Sequence, residues 1–150
     1  MKKTICVLAI VLLVASVAFG AEKAKAKKAG ITKDNVGQLK GTWQGTMSFG
    51  EFGVSGAVAN SNVLLEIPGD SVPVKAKLTI SDVPIAVAGQ LGVMEGKHVV
   101  DGEGQLTSQG TVMFVGPTKN FLELSLAGEK GLRGWYYFNG LKGDLNLKKK

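Results

Sequence analysis

The 150-residue sequence predicts an all-β fold, an antiparallel meander of about eight to ten short strands that closes, or nearly closes, into a barrel, with a sandwich as second choice. Three observations lead there. From Leu39 onward apolar residues recur with a period of two, which marks strands with one buried and one wetted face. Turn residues recur at short intervals between those runs, and no long stretch carries the spacing of an amphipathic helix. Glycine, at 21 residues, also falls inside the strands, as at Gly45, Gly56, Gly134 and Gly143, where a sheet can curl to close.

The chain opens on Lys2 and Lys3, an apolar run from Ile5 to Phe19, and small residues at Ala18 and Gly20. That order reads as a signal peptide over 1–20, and so as an exported protein, periplasmic or secreted. Cys6, the single cysteine, lies inside it, so the mature domain is expected to hold together without disulfides. Residues 21–30, AEKAKAKKAG, have no apolar stripe and are too short for a stable isolated helix, and 21–36 is read as a basic flexible tether. Thr32 to Leu39 is expected to form one helical turn with Thr32 as N-cap. The domain is assigned to 37–147 and a basic tail to 148–150.

Within the domain, alternation is clearest over 41–49, 72–80, 119–126 and 141–148, with weaker strands at 53–59, 62–67, 85–88, 97–100 and 111–115. Asn60-Ser61-Asn62, Pro68-Gly69-Asp70, Ser81-Asp82, Asp101-Gly102, Gly116-Pro117 and Asn139-Gly140 supply the turns. Asn-Gly between two strands is the strongest hairpin signal among them. It pairs 132–138 with 141–148.

Charge is unevenly spread. The net +6 comes from 18 basic and 12 acidic residues. Residues 37–147 carry eight bases against ten acids, so the positive charge belongs to the signal, the tether and the tail. A nucleic-acid footprint needs bases gathered on the folded surface. No nucleic-acid partner is expected.

Neither catalysis nor a metal is indicated. One His and one Cys cannot build a His/Cys zinc site. His98, near Glu95, Asp101 and Glu103, matches no ligand spacing, and Asp101-Gly102-Glu103-Gly104 lacks the further oxygens of a calcium loop. None of the eight serines lies in Gly-x-Ser-x-Gly. A hydrolase would require Asp101, Glu103 and His98 to converge. The expectation is a protein with no enzymatic activity, no metal and no cofactor.

Trp135-Tyr136-Tyr137-Phe138 places aromatics on both faces of one strand. One pair must therefore look outward, and Trp135 with Tyr137 is the candidate surface for a glycan or protein of the cell envelope. A small outer-membrane barrel would share the alternation, but two aromatic girdles are missing and the chain ends on Lys148-Lys149-Lys150. The mature protein is not expected to span a membrane.

Residues Asp34 to Trp43, DNVGQLKGTW, resemble the opening of a lipocalin: a short helical turn, then Gly-x-Trp at the start of the first strand, here Gly41 and Trp43. Avidin-like and nitrobindin-like calycin-type barrels share that motif. The resemblance implies structural roles for Gly41, Trp43 and Arg133, since in several of these families a late Arg packs across the Trp ring and Arg133 is the one Arg here. The chain lacks the Thr-Asp-Tyr of lipocalins and room for their C-terminal helix. His98 lies mid-chain, which departs from the late haem-ligating His of nitrobindin-like barrels. Barrels of about eight strands can hold one small ligand. Trp43, Met47 and Phe49, sharing one strand face, are the expected interior lining for a small apolar or amphipathic ligand.

Overall fold

The computed structural model describes residues 30–52, 57–91, 96–116 and 120–150. The expected signal peptide, most of the expected tether and Gly56 lie outside the described residues. Among the described residues eight strands run in chain order: β1 (Gly41–Phe52), β2 (Ala57–Ile67), β3 (Val74–Val83), β4 (Gly96–Leu106), β5 (Val112–Val115), β6 (Phe121–Leu126), β7 (Gly131–Phe138) and β8 (Leu141–Lys149). Each pairs antiparallel with the next, and β1 pairs with β8, so the sheet closes into a barrel.

The period of two decides what lies inside. Trp43, Met47 and Phe49 of β1, Val63, Leu65 and Ile67 of β2, and Leu141, Leu145 and Leu147 of β8 are buried. Their outward neighbours on β2, β3 and β4 include Glu66, Lys75, Lys77, Asp101 and Glu103. Each large apolar side chain removed from water contributes about 1.5–3 kcal/mol. The final hairpin forms as expected, with both turn residues at positive φ, 49° at Asn139 and 87° at Gly140.

Closure of β1 on β8 depends on two inward-facing glycines. A Cβ at Gly45 would overlap the Asn146 carbonyl, and one at Gly143 would overlap the Ser48 carbonyl. The ladder between these strands runs from Trp43↔Lys149 to Met47↔Leu145. Beyond it, side chains carry the seam. The Ser48 hydroxyl donates to the Asp144 carbonyl at 3.3 Å and accepts the Asp144 N–H at 3.2 Å. The Tyr136 hydroxyl donates to the Ser48 carbonyl at 2.8 Å.

Several expected boundaries are corrected. The folded part begins before residue 37: Ile31 and Val36 belong to the buried core, and the Ile31 N–H bonds the Gly110 carbonyl at 2.8 Å. The segment 31–36 is therefore a plug across the barrel end that holds the start of β1. Its 3-10 turn, Val36–Leu39, has Asn35 rather than Thr32 at the N-cap. The Asn35 side chain accepts the Thr32 N–H at 2.7 Å and donates to the Gly30 carbonyl at 2.9 Å, which locks the entry to the turn. Nor is 148–150 a tail, since Lys149 is in β8 and the Lys150 N–H bonds the Thr42 carbonyl at 2.9 Å.

Three turn signals lie inside strands. β2 runs unbroken through Asn60-Ser61-Asn62, merging two expected strands. Ser81-Asp82 is a bulge in β3, where the register shifts between Ile80 and Val83 and Asp82 takes φ 58°. The two features are one device: the Ser61 hydroxyl donates to the Asp82 carbonyl at 3.2 Å, and the Asn62 amide to the Asp82 carboxylate at 3.0 Å. β4 likewise continues through Asp101-Gly102, where Gly102 leaves space beside the Phe114 ring.

The expected strand at 85–88 is instead the start of a helix, α1 (Ile85–Leu91). Pro84 cannot donate to a ladder, and its carbonyl accepts from both Val87 and Ala88 at 2.9 Å, which starts the helical turn. Val87 and Ala88 then pack into the core while Ile85 stays in solvent. α1 thus lies at the barrel end opposite the plug.

Candidate functional site

At the plugged end Gly41 takes φ 131°, a conformation that side chains disfavour, and so turns the chain from the plug into β1. Trp43 is fully buried, and its indole N–H donates to the Leu39 carbonyl at 2.7 Å. The cation over its ring is Lys149, with Nζ 5.2 Å from the centroid and donating to the Gln38 carbonyl at 3.1 Å. Arg133, expected to fill that role, is corrected: it is exposed and pairs across strands with Ser125 and Asn146, on the same strand face as outward Trp135. Because Trp43 points inward, Arg133 cannot cross it. The signal for Lys149 was parity, since it continues the inward row Leu145, Leu147 and pairs directly with Trp43.

Met47 and Phe49 are fully buried in the same core as Trp43. Phe49 meets the Tyr136 ring edge-on at 6.1 Å. Burial, and secondarily the charge of Asp144, push the Tyr136 hydroxyl above its ordinary 10.0. It therefore stays a donor to Ser48 through the physiological range.

An apolar cleft of about 170 Å³ opens elsewhere, in the barrel wall between β4 and the β5–β6 hairpin, lined by Leu65, Leu78, Val100, Phe114, Leu122 and Phe138 together with Asp101 and Glu103. Trp43, Met47 and Phe49 do not line it. Strand lengths explain the opening. β4 pairs with β5 only from Gly104 to Leu106, and the β5–β6 hairpin turns back where the Gly116 N–H bonds the Asn120 carbonyl at 2.8 Å. The earlier part of β4 thus runs past its neighbour. Val100 sits opposite buried Leu78, on the inward face, yet is 40% exposed. Val115, beside it in the cleft wall, is 68% exposed.

The outer face of β6 and β7 carries the aromatics. Tyr136 is buried and Phe138 half-buried and packed against the core, whereas Trp135 and Tyr137 are exposed. Phe121 packs edge-on to Trp135 at 4.6 Å and stacks with Tyr137 at 6.1 Å. The Glu123 carboxylate accepts both the Trp135 indole N–H and the Thr111 hydroxyl, the latter at 2.6 Å. Alongside Trp135 lies a groove of about 350 Å³ whose lining includes Gln109, Ser125, Arg133 and Asp144 and omits Tyr137.

His98, Asp101 and Glu103 do not converge. His98 pairs with Ile80 on the inward face of β4, while Asp101 and Glu103 face outward, Glu103 3.7 Å from the Lys75 ammonium. Among the described residues no group of three or more His, Cys, Asp or Glu side chains is placed to hold a metal. No helix among them is long and apolar enough to cross a membrane.

The geometry defines a class, an eight-stranded antiparallel meander barrel plugged at one end and with a cleft in its wall beside β4. No family model, curated protein or solved structure matches the chain.

Proposed function

We propose that this is an exported, lipocalin-like binding protein without catalytic activity, which takes one small amphipathic ligand in the cleft beside β4. A single observation carries the reading: Val100 faces into the barrel and is nevertheless open to solvent. The wall behind it is aromatic and aliphatic, from Phe114, Leu122 and Phe138. At about 170 Å³ the cleft is smaller than the roughly 300–1,000 Å³ of sites that swallow a whole ligand. It suits an alkyl chain or a single ring, with the polar end left outside.

Asp101 and Glu103 stand at the rim, each with a lysine opposite it on β3, Lys77 and Lys75, so the rim offers polar contacts to a head group of either charge. The charged outer faces of β2, β3 and β4 support a barrel whose outside meets water rather than lipid.

The test is titration with N-phenyl-1-naphthylamine, a neutral dye that brightens in apolar surroundings. Saturable one-to-one enhancement is expected, displaced by dodecyltrimethylammonium and by dodecanoate alike. Val100→Arg should weaken dye binding at least tenfold. Absence of saturation, or a Val100→Arg chain that binds like the parent, would overturn the reading.

A further inference from the structure

On a different wall of the barrel, we infer that the groove beside Trp135 is a carbohydrate site, with a pyranose ring stacking on the exposed indole. Trp135 is 46% exposed, in the middle of an outer sheet face where a polar residue would be the ordinary choice. It is also held in place. Its N–H is fixed by Glu123, whose other carboxylate oxygen is tied to Thr111 at 2.6 Å, and Thr111 shares a 2.7 Å hydroxyl contact with Thr107. The Phe121 ring packs against it with centroids 4.6 Å apart and the two planes nearly perpendicular. A polar network that orients an indole while leaving it partly in water is what a stacking platform needs, since a fixed ring loses little freedom when a ligand arrives.

The groove supplies the rest of the recognition. Sugars present an apolar C–H face and a rim of hydroxyls that both donate and accept. Beside the indole stand an amide (Gln109), a hydroxyl (Ser125), a guanidinium (Arg133) and a carboxylate (Asp144). Together they offer donors and acceptors in planar and small forms. The Glu123 and Asp144 carboxylates outweigh the Arg133 guanidinium, which disfavours an anionic sugar, so the matching ligand is a neutral glycan. The groove volume of about 350 Å³ falls at the lower end of ligand sites, room for a short stretch of chain lying across the surface. An extended peptide is disfavoured, because at this position β7 is already paired on both sides, with β6 and β8, and leaves no free edge for strand addition.

The experiment is calorimetric and fluorescence titration of the full chain with chitotetraose, cellotetraose and maltotetraose, which sample N-acetylated β-linked, plain β-linked and α-linked pyranosides. Saturable binding of at least one is expected, with a blue shift of the exposed tryptophan. Trp135→Ala should weaken it at least tenfold, while Trp135→Phe, which keeps a flat ring, should retain part of it. Val100→Arg should leave sugar binding unchanged while losing the naphthylamine dye, so the two sites fail or survive separately. Far-UV circular dichroism checks that the Trp135 variants stay folded. The inference is overturned if none of the three sugars saturates, or if Trp135→Ala binds as tightly as the parent.

Discussion

Tyr136→Phe removes one oxygen from the barrel seam and nothing else of its shape, which makes it a clean probe of how the sheet closes. In the parent that oxygen donates to the Ser48 carbonyl at 2.8 Å, past the point where the β1–β8 ladder ends at Met47↔Leu145. Losing it leaves a part-buried acceptor unsatisfied, at a cost of about 1–3 kcal/mol. Because Ser48 is only half-buried and water can reach it, the lower half of that range is expected. For a domain of this size it corresponds to a fall in Tm of about 4–8 °C.

The same substitution has a second, independent signature in pH. The folded Tyr136 pKa is raised above its ordinary 10.0, first by burial and then by Asp144. The unfolded chain therefore releases this proton first. Stability from the neutral phenol is complete below pH 10 and is lost as pH rises above it, at about 1.4 kcal/mol per pH unit. By pH 11 the parent should have lost about 1.4 kcal/mol of its advantage over Tyr136→Phe, measured relative to pH 8. Urea denaturation of both chains at pH 8 and pH 11, followed by tryptophan emission, gives both quantities. A variant as stable as the parent at pH 8, with a stability difference flat to pH 11, would refute the reasoning.

Other perturbations test the rest of the fold. Gly45→Ala forces a methyl group into the Asn146 carbonyl; overpacking at the seam should cost about 1–3 kcal/mol or more in urea denaturation, and an unchanged midpoint would contradict it. Lys149→Met keeps the apolar stem but removes the ammonium from the Trp43 face and from the Gln38 carbonyl; a loss of about 0.5–2 kcal/mol is expected, whereas Arg133→Met should change stability by less than about 0.5 kcal/mol. Trp135→Phe leaves only the buried Trp43, so emission should shift to the blue and resist iodide; red, quenchable emission would contradict the burial. Ser61→Ala unties the bulge at Asp82, and faster amide exchange at Asp82 and Val83, read by NMR, is expected.

Much of the barrel was legible because inward and outward residues alternate along single strands, and parity alone placed Trp43, Met47, Phe49 and the leucines of β8. Local turn chemistry misled where tertiary contacts reused it. Asn and Ser at 60–62 read as a turn because such residues favour one, yet their side chains reach across to β3 and hold a bulge. Ile85 to Ala88 read as a strand because a short apolar run is ambiguous, and Pro84 tips it to helix.

The candidate site was less legible. Trp135 and Tyr137 were found by a broken alternation, since two aromatic faces require one to be outside. The cleft was not found, because it arises from the mismatch of an 11-residue β4 with a 4-residue β5, a property of neighbours and not of either segment. Val100 looks like any inward valine until the strand that should cover it is seen to stop short.

The Ser48–Asp144 bond joins residues 96 positions apart, so closing the barrel brings the two ends of the domain together. Every other strand can pair with a neighbour already present, but β1 must wait with an open edge until β8 exists. Contacts of such separation are slow to form, and a sheet with two free edges is a template for other chains. A chain whose β1 and β8 have not met is therefore the form most open to pairing with other chains. Gly45 and Gly143, by letting the two end strands approach, remove both free edges in one contact.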